Sequence, residues 1–288
     1  VKRPSLRVER SLASPTCRLV AGIDEVGRGA LAGPVAAGVV VVDAHAQRAL
    51  TGVADSKLLS HQRRVDLVPR IRRWAVGSAV GMASAAEVDA LGLTHALRLA
   101  GLRALRVLAG AGVVPDLVLM DGNHNWLRRP EPTLLDGLGV GMDADALVLD
   151  FLDGGVEPMV PVGPGPHGST AVAAADPPVL TRIKADLTCT SVAAASVLAK
   201  VERDLLMIEA ATRFPDFGWE INKGYATRSH RAAIDAVGPC ELHRRTWRLG
   251  SLPGEPADDD DAPAAFDDAA ADDAVPDAFV SACAKMET

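Results

Sequence analysis

Residues 22–35 read GIDEVGRGALAGPV: two adjacent carboxylates, Asp24 and Glu25, end an apolar run, and Arg28 stands between Gly27 and Gly29. The flanking RLVAGIDE and PVAAGVVVV are rich in β-branched residues, the composition of two strands joined by a glycine-rich turn. A buried run that ends in carboxylates demands positive partners, because taking such groups out of water without them costs several kcal/mol. Adjacent strand residues point to opposite faces, so both acids serve one site only where the strand ends or bulges. Gly27 and Gly29 make that distortion easy, since glycine tolerates positive φ. Arg28 would then offer its guanidinium beside backbone N–H groups, a combination suited to phosphates and sugar hydroxyls. The stretch reads as a metal site next to a phosphodiester site.

A hydrolytic metal site needs more ligands. Asp121 closes VLMDGN and Asp186 lies in IKADLT, both at the ends of core elements where a scaffold holds a side chain rigidly. Taken singly, each also suits a cap or a turn. Four carboxylates brought together repel at low dielectric, so the set makes sense around divalent cations, and all-oxygen ligation selects Mg²⁺ or Mn²⁺ over Zn²⁺.

Working outward, residues 75–83 (AVGSAVGMA) supply a third strand, and the leucines of residues 84–112 predict a long helix broken near Gly92. PDLVLMDG is a short buried strand, and SVAAASVLAKVERDLLMIEAATRF is a second long helix that Thr188 or Thr190 would cap. A hairpin followed by alternating helices and strands predicts an α/β domain with a mixed sheet. The organisation expected is a polar leader over 1–17, a catalytic domain over 18–252 with a loop-like insertion at about 128–178 holding at most a short hairpin, and a disordered acidic tail over 253–288.

The chain has 288 residues, 48% of them hydrophobic, and a formal charge of −7, which read naively argues against a polyanionic partner. Eleven acids and one lysine fall between Pro253 and Thr288, so residues 1–252 hold 29 basic against 26 acidic residues, a mildly basic body. The four cysteines are far apart, without a C-x-x-C pair, which argues against a zinc cluster or a disulfide scaffold. No signal-peptide core and no spanning apolar run stand out, so a soluble, cytoplasmic protein is expected, with a monomer as the default and no membrane partner.

Taken together, GIDEVGRGALAGPVAAGVV, DSKLLS (55–60), MDGN (120–123), SVAAASVLAKVERD (191–204), KGYATRSH (223–230) and GPCELHRRTW (238–247) resemble, in order and spacing, the bacterial type 2 ribonucleases H, the ribonuclease HII family. The resemblance covers roughly residues 18–248. It implies a ribonuclease H-like fold, a central mixed β-sheet flanked by helices with a small helical C-terminal portion. By motif position it places the metal-binding acids on Asp24, Glu25, Asp121 and Asp186, the 2′-OH-reading motif on Gly27, Arg28 and Gly29, and a junction-sensing tyrosine on Tyr225, the one tyrosine of the chain. Two metal ions, Mg²⁺ or Mn²⁺, would support cleavage 5′ to a ribonucleotide in an RNA–DNA hybrid or in duplex DNA with an embedded ribonucleotide. The longer 121–186 segment, Ala185, Ala226 and the acidic tail depart from the family pattern.

Lys57 and Lys200 are favoured for phosphate contact, with Ser196, Lys200 and Arg203 on one helix face; for Arg203 a solvated helix face is an equal alternative. HRRT (243–246) reads as charged surface by default, with a structural or duplex-contacting role as the alternative, and the AAAS run as close helix packing. The tail is either a solubilising extension or a polyanion mimic competing for the basic face. Two other functions stay open: a type 1 ribonuclease H activity, and a silent nucleic-acid-binding module, for which four acids would be of no use.

Overall fold

A computed structural model describes residues 3–128, 144–153 and 177–251. Strands β1 (Leu19–Val26) and β2 (Val35–Asp43) form the expected antiparallel hairpin, with Asp24 opposite Gly38 and Glu25 opposite Ala37. β3 (Gly77–Ala83) extends the sheet antiparallel beyond β2. On the other side β4 (Leu117–Asp121) runs parallel to β1, and β5 (Val179–Arg182) parallel to β4, giving the mixed order β3-β2-β1-β4-β5. β5 carried no strand expectation: it borders the Gly/Pro-rich segment and its residues are only half-buried.

Both faces of the sheet are covered, which is why β2 is apolar along nearly its whole length rather than alternating. On one face lie α3 (Ala85–Leu91) and α4 (Leu93–Gly110), with Ile23, Val39, Leu97 and Ala100 in their core. The predicted break falls at Gly92, whose φ of +73° ends α3, and a capping box between Ser84 and Glu87 starts that helix. On the other face lie α2 (His61–Trp74) and α7 (Thr190–Arg213), closed over Val20, Val40, Ile71, Val192 and Ala195. α7 packs so tightly that a Cβ at Gly22 would collide with the backbone of Ser191 and Val192, and one at Gly38 with the Ala195 carbonyl. The AAAS run is thus packing surface, as expected. A third core joins Leu31 and Ala32 to Met207, Phe217, Trp219 and Ile234, and forms the small helical C-terminal portion with α8 (Trp219–Asn222) and α9 (Arg228–Val237).

Three expectations are corrected. The leader is part of the domain: helix α1 (Arg7–Leu12) buries Leu6 and Glu9, and Ser5 bonds by its N–H and C=O to Thr188 and Thr190. No threonine caps α7. The carboxylate of Glu9 accepts from the N–H and hydroxyl of Ser191 instead (3.0 and 2.8 Å), an acid at a helix N-terminus delivered from 182 residues away. The 128–178 segment contains helix α5 (Ala144–Asp153) where only a loop or hairpin was expected. Val148, Phe151 and Leu152 stand at i, i+3 and i+4 and join the α4 core, while the Phe151 and Leu152 carbonyls accept from Arg103 and Arg106. The surrounding Gly and Pro had masked this short period. The remainder of that segment, and the tail from 252 onward, lie outside the described residues. Among the described residues no helix is long and apolar enough to cross a membrane.

Candidate active site

Parallel pairing sets Ile23 beside Met120, so the next residues, Asp24 and Asp121, leave the sheet at the same edge. One strand further, Arg182 pairs with Asp121, and the chain turns at Lys184, φ +56°, into the short helix α6 (Ala185–Thr188) that carries Asp186. The Ala185 N–H donates to Asp121 Oδ1 at 2.6 Å, tying the third and fourth acids together through the backbone. Glu25, on the opposite side of β1 from Asp24, is drawn to the site's rim: one oxygen accepts from Trp126 Nε1 (3.2 Å) and the other from Arg28 (3.4 Å). Three elements distant in sequence therefore converge on one sheet edge.

Their electrostatics bear out a shared field. Burial first, then Glu25 and Asp121, push the Asp24 carboxyl well above the usual carboxylate range, against a hydrogen bond from Ser196 that favours ionisation. Glu25 is raised by burial, opposed by Arg28 and Trp126. Asp121 is raised by burial although three backbone N–H groups oppose it. Asp186 is pushed up to about 6 by burial, then by Asp121 and Asp55. Among the described residues, no three His, Cys, Asp or Glu side chains stand close enough to enclose one ion directly. The acids lean instead on protein donors: Asp24 on the Glu25 N–H (2.9 Å), Asp121 on Ala185, Glu25 on Trp126 and Arg28. That spread is what mutual repulsion dictates, and the donor set, four buried or half-buried carboxylates with excess negative charge, suits hard divalent cations.

Lys57 is exposed and near enough to lower both Asp121 and Asp186. Its turn is built by Asp55, whose side chain accepts from the Lys57 N–H, and is anchored by Ser56 to Ser196 of α7 at 2.9 Å. Lys200 is half-buried, paired with Asp204 at 2.7 Å and 5.3 Å from the centre of the Tyr225 ring.

The glycine loop departs most from expectation. Arg203 is neither solvated nor aimed at phosphate: it is fully buried and donates to the carbonyls of Pro34 (2.9 Å), Ala32 (3.0 Å) and Lys223 (3.0 Å). Arg244, for which HRRT left charged surface as the default and a structural role as the alternative, takes the structural one: it is buried and donates to the carbonyls of Gly27 (2.7 Å), Arg28 (3.0 Å) and Gly33 (3.1 Å). Two guanidiniums thus turn the carbonyls of residues 27, 28 and 32–34 inward. Burial and the neighbouring Arg203 push Arg244 down to about 9. Gly27 has φ +85°, and a Cβ there would strike the Arg203 side chain, so no other residue fits. Arg28 itself stays exposed, and Tyr225 bridges Ala30 on the same loop. Sequence reasoning missed Asp55, Trp126, Arg244 and the His230–His243 pair. A buried arginine satisfied by carbonyls leaves no acidic partner in the sequence to betray it.

This arrangement defines a ribonuclease H-like protein, and the chain shares that fold with the ribonuclease in the PCNA:RNase HII complex from Archaeoglobus fulgidus (TM-score 0.50, 23% identity, 81% of this chain and 97% of that one). The family model described as Ribonuclease HII matches residues 21–146 and 168–249. Ribonuclease HII of Streptomyces avermitilis is 38% identical over 252 residues, covering 87% of this chain and 86% of its own length. That of Nitrosococcus oceani is 38% identical over 229 residues, covering 80% and 88%. The chain belongs to the ribonuclease HII family and is a type 2 ribonuclease H, an endonuclease.

Proposed function

We propose that this endonuclease cuts the phosphodiester 5′ to a ribonucleotide, in RNA–DNA hybrids and at single ribonucleotides embedded in duplex DNA, leaving 3′-hydroxyl and 5′-phosphate ends. The observation that carries the reading is the convergence of Asp24, Glu25, Asp121 and Asp186, all with raised carboxyl pKa, beside a loop whose one exposed side-chain charge is Arg28. These acids would hold divalent ions, Mg²⁺ or Mn²⁺. Bound there, the ions would supply Lewis acidity, activating the attacking water and stabilising the leaving 3′-oxygen.

The protein's own groups do the rest. Asp24, almost buried between β1 and α7, takes its geometry from the sheet, so its ligand oxygen needs no ordering at the moment of reaction. Gly27, Arg28 and Gly29, fixed from behind by Arg203 and Arg244, receive the ribose 2′-OH, the group that separates RNA from DNA. A site shaped to bond that hydroxyl rejects a sugar without it, because its own polar groups would lose their partner. Tyr225 packs on the neighbouring deoxyribose, and Lys57 and Lys200 face the backbone phosphates. Cys189, a buried thiol outside any disulfide, fits a reducing cytoplasm.

The test is incision of a DNA duplex holding one ribonucleotide, with Mg²⁺ or Mn²⁺ and with chelator. A single cut 5′ to the ribonucleotide, lost on chelation, is expected. Degradation of long hybrids without that cut would overturn the single-ribonucleotide specificity.

A further inference from the structure

Behind Tyr225 lies a group of buried rings that the proposed chemistry does not use. His230 and His243 are shielded from solvent, packed against Phe217 and Trp219. Their hydrogen bonds run in one direction. The Cys240 N–H donates to His243 Nδ1 (3.0 Å), which leaves the His243 proton on Nε2. That Nε2 lies 3.1 Å from His230 Nε2, which also accepts from Trp219 Nε1 (3.0 Å). With Nε2 an acceptor twice over, His230 carries its proton on Nδ1, which donates to the Tyr225 carbonyl at 2.8 Å. A proton added to either ring would set donor against donor. Burial pushes both imidazoles down, His243 to about 4, so the neutral tautomers persist at physiological pH.

The far end of this chain is the loop's tyrosine. Tyr225 stands between Gly224, whose carbonyl accepts from the Leu31 and Ala32 N–H groups, and Thr227, whose N–H shares the Tyr225 carbonyl and whose side chain caps the helix holding His230. The Tyr225 ring lies 5.3 Å from Lys200 and 5.1 Å from Arg203. Cys240 also precedes Leu242, whose carbonyl accepts from the Gly33 N–H, so both ends of the relay touch the glycine loop.

We propose that His230, oriented by His243, is a positioning residue for Tyr225: the one-way relay from the Cys240 amide through both imidazoles fixes where the tyrosine ring stands against the Gly27–Gly29 loop, and so sets the preference for a ribonucleotide–deoxyribonucleotide step. The inference rests on the junction role proposed for Tyr225.

Because the chain has one tyrosine, 3-fluorotyrosine gives a single ¹⁹F resonance that reports Tyr225 apart from cleavage. His230→Asn keeps a donor near the Nδ1 position, whereas His230→Gln moves it toward Nε2. His230→Gln is expected to shift or broaden the resonance and to lower the kcat/KM ratio of an embedded-ribonucleotide duplex over a uniform RNA–DNA hybrid by up to about 10²-fold, the scale of a ~1 Å misplacement. His230→Asn should preserve both. An unmoved resonance in His230→Gln, or equal failure of both variants at wild-type melting temperature, overturns the relay. A moved resonance with unchanged preference overturns its role in specificity. Tyr225→Ala separates the two readings: if that variant keeps the preference, the junction role of Tyr225 falls as well. Should the His230 variants not fold, His243→Gln, which keeps a donor at Nε2, against His243→Met, which removes it, asks the same question one link back.

Discussion

The two halves of the site are opposites in how they handle buried charge. On the carboxylate side Asp24, Asp121 and Asp186 stand apart but share one field with too few cations, and every one of their carboxyl groups is raised. On the loop side two buried guanidiniums, Arg203 and Arg244, form no ion pair among the described residues, yet backbone carbonyls accept from both. The first half is under-neutralised and gains from a positively charged ligand. The second is already satisfied and gains nothing from one, so it serves as a rigid mould. Binding and shape are thus assigned to different chemistries within one pocket.

Substitutions that separate those roles should behave differently. Asp24→Asn is expected to lower cleavage by ~10²–10³-fold, the range for losing a preorganised electrostatic group, while the melting temperature holds or rises because a repelled buried acid has gone. A melting temperature that falls sharply would mean Asp24 is structural and would break the contrast. Arg244→Met should do the reverse in stability, costing about 3 kcal/mol in denaturant unfolding as the Gly27, Arg28 and Gly33 carbonyls lose their donor. Arg244→Lys should recover little, since an ammonium cannot span those acceptors. Unfolding unchanged in Arg244→Met would show that the loop holds its own shape.

The smallest effect is one of pH. A carboxyl raised above its unfolded value binds protons more tightly in the folded state, so its contribution to stability is complete below pH 3.8 and is lost as pH rises through about 6 for Asp186. With chelator present, the melting temperature should therefore decline across that window, and Asp186→Asn should flatten the decline. With Mg²⁺ present, protons and cations compete for the same oxygens, so cleavage should rise through pH 6. An identical slope in wild type and Asp186→Asn would remove Asp186 from the shared field.

Much of this was legible before any coordinates. Alternating and continuous apolar runs disclosed β1 to β4, and the position of acids at their ends disclosed the sheet edge where Asp24 and Asp121 meet. What stayed hidden was non-local. Glu9 looks like any acid in a polar leader until the α7 terminus is seen beside it. Arg203 and Arg244 sit in charged stretches that read as surface, because a carbonyl acceptor leaves no mark in a sequence. α5 was lost for a different reason, a short helical period inside Gly- and Pro-rich surroundings.

The inward-turned loop has a consequence for how the enzyme comes into being. Residues 27–34 leave the ribosome early, but the guanidiniums that mould them arrive at positions 203 and 244, and the Glu9 carboxylate waits for Ser191. Contacts of such sequence separation form late, once the loop-closure entropy between them has been met. The nascent chain therefore stays without a finished glycine loop until nearly the whole domain has been synthesised, and a truncated product ending before Arg244 carries its acids beside an unmoulded loop.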